Sequence, residues 1–423
     1  MNITVVGLGK VGLPLAVQFA SKGATVTGYD TDEILIAMLR DGRNPLPGEP
    51  GLEEAIPGLV ASGHLRPTAG PKEAAAHAEV LVLLVPVDID AAHRADFTHL
   101  DAAVDALAPH LRRGVLVIVE TTVPAGTTRN RVGARIEQIA GLAPTSAVSL
   151  AFSPERVSSG TVLLDLQRYP KIVGGIESHS TARAAEFYRS VLDAEVRTVR
   201  DAETAEFSKL IETTYRDVNI ALANEFARIA GRSSGRIGVD VQQAIEAANS
   251  QPYSHIHTPG VGVGGHCIPV YPYFLEAPEA ELVAAARRIN DGMARYAVEK
   301  LAEALGTLAG ATVVVLGLSY RAGVKEARHS SAFGLASELA AAGATAYVHD
   351  PLFTAAEMRA LGVEPPPAFP LPCDALVVQA WHREYEALDF ASFPGLRAVL
   401  DGRAALDPER IRAAGLTYVG IGR

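Results

Sequence analysis

A lone thiol, Cys267, follows a glycine-rich run in the segment PGVGVGGHCIPVYPYFL, Pro259 to Leu275. Glycines let backbone come close to a bulky ligand, and a thiol beside such a loop can attack an electrophilic carbon that the ligand presents. The competing reading of a lone cysteine is a small buried hydrophobe. Gly262, Gly264 and Gly265 before the thiol, with Pro269 and Pro272 after it, favour a rigid, ligand-lined loop. His266 is adjacent, but neighbouring side chains on an extended segment point opposite ways, so it reads as structural. Cys373, before Asp374 at a strand start, reads as packing.

A second constellation opens the chain. Gly7, Leu8, Gly9, Lys10, Val11 and Gly12 follow an apolar strand, and Asp30 closes the next one. In such a turn the first glycine bends the chain, the second admits a pyrophosphate and the third lets helix pack on sheet. The helix N-terminus then faces the phosphates. An acid at Asp30 accepts hydrogen bonds from ribose hydroxyls and repels a 2′-phosphate, which selects NAD. Three further sites stay open by pattern alone. Lys209 on a helix could be catalytic or could run its stem out to solvent. Glu155 in FSPERVSSG, and Thr121 and Thr122 in VETTVPAGTT, follow strands where parallel sheets place ligands, though each alone fits a plain loop.

The elements that must position these residues follow from length and periodicity. A chain of 423 residues exceeds one ordinary core, and 48% hydrophobic with 20% charged residues suits a soluble globular protein. A net charge of −10 argues against general nucleic-acid binding. No apolar run is long enough to span a bilayer, and the start MNITVVGLG reads as a strand entering a turn, so a cytoplasmic location is expected. Cys267 and Cys373 have no metal-ligand spacing, so no metal is expected. Short apolar runs at Val80 to Val85, Val115 to Val119 and Ala147 to Phe152 alternate with amphipathic segments, the rhythm of an α/β fold with a doubly wound parallel sheet. From about Thr204 to Ala248 turn signals largely vanish, which predicts a long helix, a connector and a dimer surface. After Asn290 the strand–helix alternation resumes at Thr312 to Leu316, Thr345 to Val348, Ala375 to Val378 and Ala398 to Asp401. Two Rossmann-like domains, residues 1–200 and 299–423, are thus expected around a helical central domain, 201–298.

Taken together, GLGKVGLPLA, EPGLEE, TTVPAGT, SPERV, KLIETTYRDVNIALANE, GVGGHCIP and GLSYR, in this order over nearly the whole chain, resemble the nucleotide-sugar 6-dehydrogenases, the UDP-glucose and UDP-N-acetylmannosamine dehydrogenase type. SPERV and GGHCIP look nearer the bacterial N-acetylhexosamine branch. The resemblance implies oxidation of the C6 hydroxymethyl of a UDP- or dTDP-hexose to the uronic acid in two NAD-dependent steps, through a thiohemiacetal and a thioester on Cys267. It implies Lys209 and Thr213 as oxyanion donors, Glu155 in proton transfer and Thr122 in placing water. Gly7, Gly9, Lys10, Val11, Gly12, Asp30, Val85, Pro86, Thr121, Thr122 and Arg328 would contact the cofactor. Glu155, Arg156, Val157, Lys209, Gly264, Tyr320 and Arg321 would contact the substrate, in a homodimer. Three positions depart from the family pattern: Thr213 stands where it has asparagine, Tyr271 where it has aspartate, and Arg321 where it has lysine. Tyrosine carries no charge at neutral pH and cannot replace a carboxylate as base. The alternatives are a single two-electron sugar or hydroxyacid dehydrogenase, and a catalytically weakened NAD and nucleotide-sugar binding protein.

Overall fold

The computed structural model describes all residues except 47, 159, 234–237 and 276, and of residues 232 and 233 the backbone alone. The chain divides into two compact units, Met1–Glu212 with Tyr273–Glu276, and Thr213–Pro272 with Ala277–Arg423.

The first unit holds an eight-stranded sheet: β1 (Asn2–Val6), β2 (Thr25–Tyr29), β3 (Leu65–Thr68), β4 (Val80–Leu83), β5 (Leu116–Val119), β6 (Ser149–Phe152), β7 (Lys171–Gly175) and β8 (Val196–Thr198). Its order is 8-7-6-5-4-1-2-3, and the six strands from β6 to β3 are mutually parallel. Strand β7 runs antiparallel to β6. The 3-2-1-4-5-6 core is the dinucleotide-binding order, whose parallel strands end together on one ligand-facing edge. Register aligns Val6, Leu83, Val119 and Phe152 at that edge. Strands β4, β5 and β6 are buried throughout, as expected of a sheet covered on both faces. Helix α1 (Gly12–Ser21), nearly all buried, packs in a core with Ile3, Val5, Phe187 and Tyr188.

The second unit carries a five-stranded, wholly parallel sheet: β9 (Thr312–Leu316), β10 (Thr345–His349), β11 (Ala375–Val378), β12 (Ala398–Asp401) and β13 (Thr417–Gly420), in the order 10-9-11-12-13. Strands β3 (LRPT), β7 (KIVGG), β8 (VRT) and β13 (TYVG) escape the sequence pattern because none of them carries a continuous apolar run.

Helix α2 covers Ala202–Ser233, and α3 (Val241–Ala248) starts anew at Asp240, whose side chain accepts from the Gln243 N–H. One helix from 204 to 248 is therefore corrected to two. A local cap at Asp240 competes with continuation, and residues 234–237 lie outside the described set. The apolar positions of α2 fall on two faces: Leu210, Ala221 and Ala223 are buried, whereas Phe207, Ile211, Tyr215, Leu222, Phe226 and Ile229 are exposed. In the second unit, buried Asp217 on α2 pairs with Arg287 at 2.6 Å and accepts from Asn290 at 2.7 Å, both on α4 (Glu281–Asp291). No described helix is long and apolar enough to cross a membrane.

Candidate active site

In the first unit the glycine turn leaves β1 with Gly7 at φ +90°, its N–H donating to the Tyr29 carbonyl at 2.8 Å. A side chain at Gly12 would place Cβ 1.8 Å from the Gly7 carbonyl oxygen, so this glycine lets helix and turn touch. At Gly9 an added Cβ meets nothing within 4 Å, which leaves the open approach a pyrophosphate needs. Lys10 is exposed and Val11 half-buried at the helix entrance. Asp30 accepts from the Leu8 N–H at 2.7 Å and from the Asp32 N–H at 3.0 Å, so the acid that would meet a ribose also ties the turn to β2. These features fit NAD. Val85 and Pro86 after β4, and Thr121 and Thr122 after β5, stand at the same strand ends, the threonines buried.

Beyond β6 lies Glu155. Its Oε1 accepts from the Arg156 N–H at 2.7 Å and its Oε2 from Lys171 Nζ at 2.8 Å. Lys171, the first residue of β7, also reaches Glu120 Oε2 at 2.8 Å, and Tyr188 donates to the other oxygen of Glu120. Burial pushes Glu120 up to about 8, against the pull of Lys171. Burial also disfavours a charge on Glu155, but Lys171 and a hydrogen bond with Glu120 outweigh it and hold Glu155 below the usual carboxylate range. Glu120, Lys171 and Tyr188 were not found from sequence, since it takes strand pairing to bring them together.

Lys209 is buried, not snorkelling: 7% exposed, with Nζ 3.8 Å from Glu212, which also accepts from Arg156 Nε at 2.7 Å. The α2 face thus meets the loop carrying Arg156 and the half-buried Val157. One turn ahead of Lys209, buried Glu206 accepts from the N–H groups of Gly126 and Thr128, fixing the loop after Thr121 and Thr122 onto the helix. Thr213, four residues past Lys209, is buried and begins the second unit.

In the second unit, the loop before Cys267 lies along the strand ends of the second sheet. Val261 N–H donates to the Gly402 carbonyl, and Gly265 N–H (φ +93°) to that of Arg328 at 2.9 Å. A side chain at Gly264 would put Cβ 2.7 Å from Cβ of Tyr320 and 2.9 Å from the His329 carbonyl oxygen, so the loop needs glycine to lie on Tyr320. Cys267 is a partly exposed free thiol, not a buried packing residue. Tyr271 donates its N–H to the Cys267 carbonyl at 2.9 Å, and its hydroxyl stands 3.0 Å from His266 Nδ1. Cys373 is buried in the core of the second sheet, as its packing role required. Arg321 and Arg328 are exposed on the loop after β9, the Arg321 guanidinium 5.8 Å from the Tyr320 ring centre.

Sequence reasoning missed Arg403, just past β12. Its guanidinium donates to the carbonyls of Gln379 at 2.6 Å and Gly262 at 3.0 Å and to the Ser331 hydroxyl at 3.1 Å, all neutral acceptors. Burial pulls its pKa down to about 10, which still leaves it charged at neutral pH. The signal available was its place one residue after a strand-end aspartate and glycine.

Fold and turn chemistry define an NAD-binding oxidoreductase with a second parallel sheet. Sequence profiles of the UDP-glucose/GDP-mannose dehydrogenase family match residues 1–192 (NAD binding domain), 203–292 (central domain) and 314–408 (UDP binding domain). The chain belongs to that family of NAD-dependent nucleotide-sugar dehydrogenases. It is 33% identical to the UDP-N-acetyl-D-mannosamine dehydrogenase of Methanocaldococcus jannaschii over 97% of this chain and 92% of that one. Among solved structures, a UDP-D-ManNAc dehydrogenase from Pyrococcus horikoshii superposes with TM-score 0.88 at 33% identity, covering 100% and 99% of the two chains. A UDP-glucose dehydrogenase from Pyrobaculum islandicum gives 0.86 at 30% identity, covering 100% and 97%.

Proposed function

We propose that this enzyme oxidises C6 of a UDP-linked N-acetylhexosamine twice, to the uronic acid, by way of a thioester on Cys267. The observation that carries the reading is the Gly262–Gly265 loop, which lies against Tyr320, is held by Arg403 through the Gly262 carbonyl and leads directly to the partly exposed thiol of Cys267. Arg403, Tyr320 and Arg321 suit a nucleotide diphosphate, Arg403 as a planar donor fork. Gly264, which lets the loop lie on Tyr320, and Arg156 and Val157 are assigned to the substrate on the family resemblance. The N-acetylhexosamine preference rests on similarity to UDP-N-acetylmannosamine dehydrogenases, with UDP-glucose and dTDP-glucose as the alternatives to exclude.

Gly7, Gly9, Lys10, Val11, Gly12, Asp30, Val85, Pro86, Thr121 and Thr122 would hold NAD, with Arg328 reaching a cofactor in the same assembly. When bound, NAD supplies the hydride acceptor for both oxidations. The thiolate of Cys267 adds to the aldehyde, and the resulting thiohemiacetal carbon bears the second hydride. Lys209 and the Thr213 hydroxyl stabilise the oxyanion. Thr122 orients water and Glu155 takes its proton in hydrolysis. With Tyr271 engaged by His266 where a carboxylate is usual, Glu155 is left as the base of that step. The same substitution, together with Thr213, is the support for the alternative of a catalytically weakened NAD and nucleotide-sugar binding protein. In domain terms we assign 1–200 to the cofactor, 201–298 to the catalytic lysine and cysteine, and 299–423 to the nucleotide sugar. The apolar stripe Phe207, Ile211, Tyr215, Leu222, Phe226 and Ile229 supports a homodimer through α2.

A panel of nucleotide sugars assayed for NAD reduction tests the assignment. Two NADH per sugar, greatest with a UDP-N-acetylhexosamine, is the expected result; one NADH per sugar selects the two-electron alternative.

A further inference from the structure

Behind Glu155 sits a set of groups that the mechanism above does not use. Lys171 is 5% exposed, Glu120 is fully buried and Glu155 is 11% exposed. Tyr188, on the helix Ser178–Val191, is also fully buried, and Lys171 Nζ lies 5.0 Å from the centre of its ring. Each group comes from a different element: the end of β5, the loop after β6, the antiparallel strand β7 and a helix on the sheet face. Burying one ammonium and two carboxyl groups is costly unless their hydrogen bonds are met, and removing one member leaves an uncompensated charge. A purely structural role would be served as well by apolar side chains, as buried ion pairs often are.

We infer that Lys171, anchored by Glu120 and Tyr188, is a positioning residue for thioester hydrolysis: it fixes the Glu155 carboxylate in place, so that Glu155 accepts the proton of the attacking water. This deepens the proposed function and rests on its assignment of Glu155 as the base. In the step, the water oxygen bonds to the acyl carbon, the C–S bond breaks, sulfur leaves as thiolate and one water proton passes to Glu155. The carboxylic acid formed loses its own proton to solvent. Glu155 is suited to the task because Lys171 bonds one of its oxygens and the Arg156 N–H the other, which leaves the carboxyl no freedom to turn. Glu120 anchors the ammonium from the other side, its second oxygen held by the Tyr188 hydroxyl. Antiparallel β7 is what makes this possible, since it starts beside the carboxyl ends of its parallel neighbours and brings Lys171 to them.

Oxidation and release are separate steps, so the experiment reads both. The full-length enzyme is mixed with NAD and UDP-N-acetylmannosamine, or the best sugar from the panel, and the NADH burst is followed by steady-state turnover. Intact mass reports acyl-Cys267. In K171M the burst of two NADH per site is expected to survive, while turnover falls by at least about tenfold and the acyl-enzyme accumulates. K171R, which keeps the charge, is expected to restore most of the turnover. Should K171M not fold, K171Q, which fills the site with a neutral polar group but brings no ammonium to hold the Glu155 carboxylate, carries the same expectation. Burst and turnover falling together, or turnover unchanged in both variants, would overturn the inference. E155Q is the control on the underlying reading: without stalling there, Glu155 is not the base, whereas stalling in E155Q but not in K171M or K171Q removes Lys171 alone.

Discussion

The two sheets open with the same turn and use it differently. In the first, Gly7 (φ +90°) donates to the Tyr29 carbonyl and Leu8 N–H to Asp30. In the second, Gly317 (φ +100°) donates to the His349 carbonyl at 2.8 Å and Leu318 N–H to Asp350 at 2.8 Å. The turns diverge two residues past the first glycine. Gly9 leaves open space, whereas its counterpart Ser319 is buried and gives its N–H to Asp350. Asp350 is further closed by Leu352 N–H and by His382 Nε2 at 3.0 Å, and is 1% exposed. An acid at the end of the second strand is thus first a clamp for the turn. It can also serve a ribose only where, as at Asp30, its edge stays open.

Substitutions at the two turns break or sharpen this comparison. The largest effect is expected for G12A, whose Cβ would overlap the Gly7 carbonyl: a loss of more than about 4 kcal/mol and no NAD binding, read by denaturant unfolding and by cofactor titration. D350A removes one partner of a buried, fully bonded pair and is expected to cost about 3 kcal/mol while leaving NAD affinity unchanged. If it weakened NAD binding instead, the division of roles between the turns would be wrong.

The buried acids of the two units should respond oppositely to pH. Burial raises Glu206 to about 7 from its ordinary 4.5, so its contribution is complete below pH 4.5, declines as pH rises and is lost above about 7. Burial disfavours the Asp350 charge too, but His382 and backbone N–H groups outweigh it and lower its pKa, so its contribution holds above pH 3.8 and is lost as acid protonates it. Unfolding at pH 5 and pH 8 should show the wild type less stable at the higher pH, and E206Q with a flatter dependence. The smallest effects are expected at the open turn. D30N should weaken NAD binding about tenfold and narrow its preference over NADP, and G9A should weaken NAD less, with no change in unfolding.

The glycine turn, Asp30 and the Cys267 loop were legible in the sequence because their logic is local: a bend, an acid one strand on, small residues beside a thiol. The dinucleotide sheet followed from apolar runs such as Val80–Leu83. The Lys171 cluster and Arg403 were not legible. Lys171 meets Glu120 across 51 positions and Arg403 meets Gly262 across 141, through pairings that no window of sequence contains. The tertiary environment also decided Lys209, whose pattern allowed a solvated lysine and whose burial excludes one.

The central claim is a sugar acyl group carried on Cys267. Mixing enzyme, NAD and a UDP-N-acetylhexosamine, quenching within one turnover and mapping the modified peptide tests it directly. The expected result is an acyl adduct on Cys267, two NADH per sugar and no acid from C267S; acid formed by C267S, or turnover with Cys267 never modified, would contradict it.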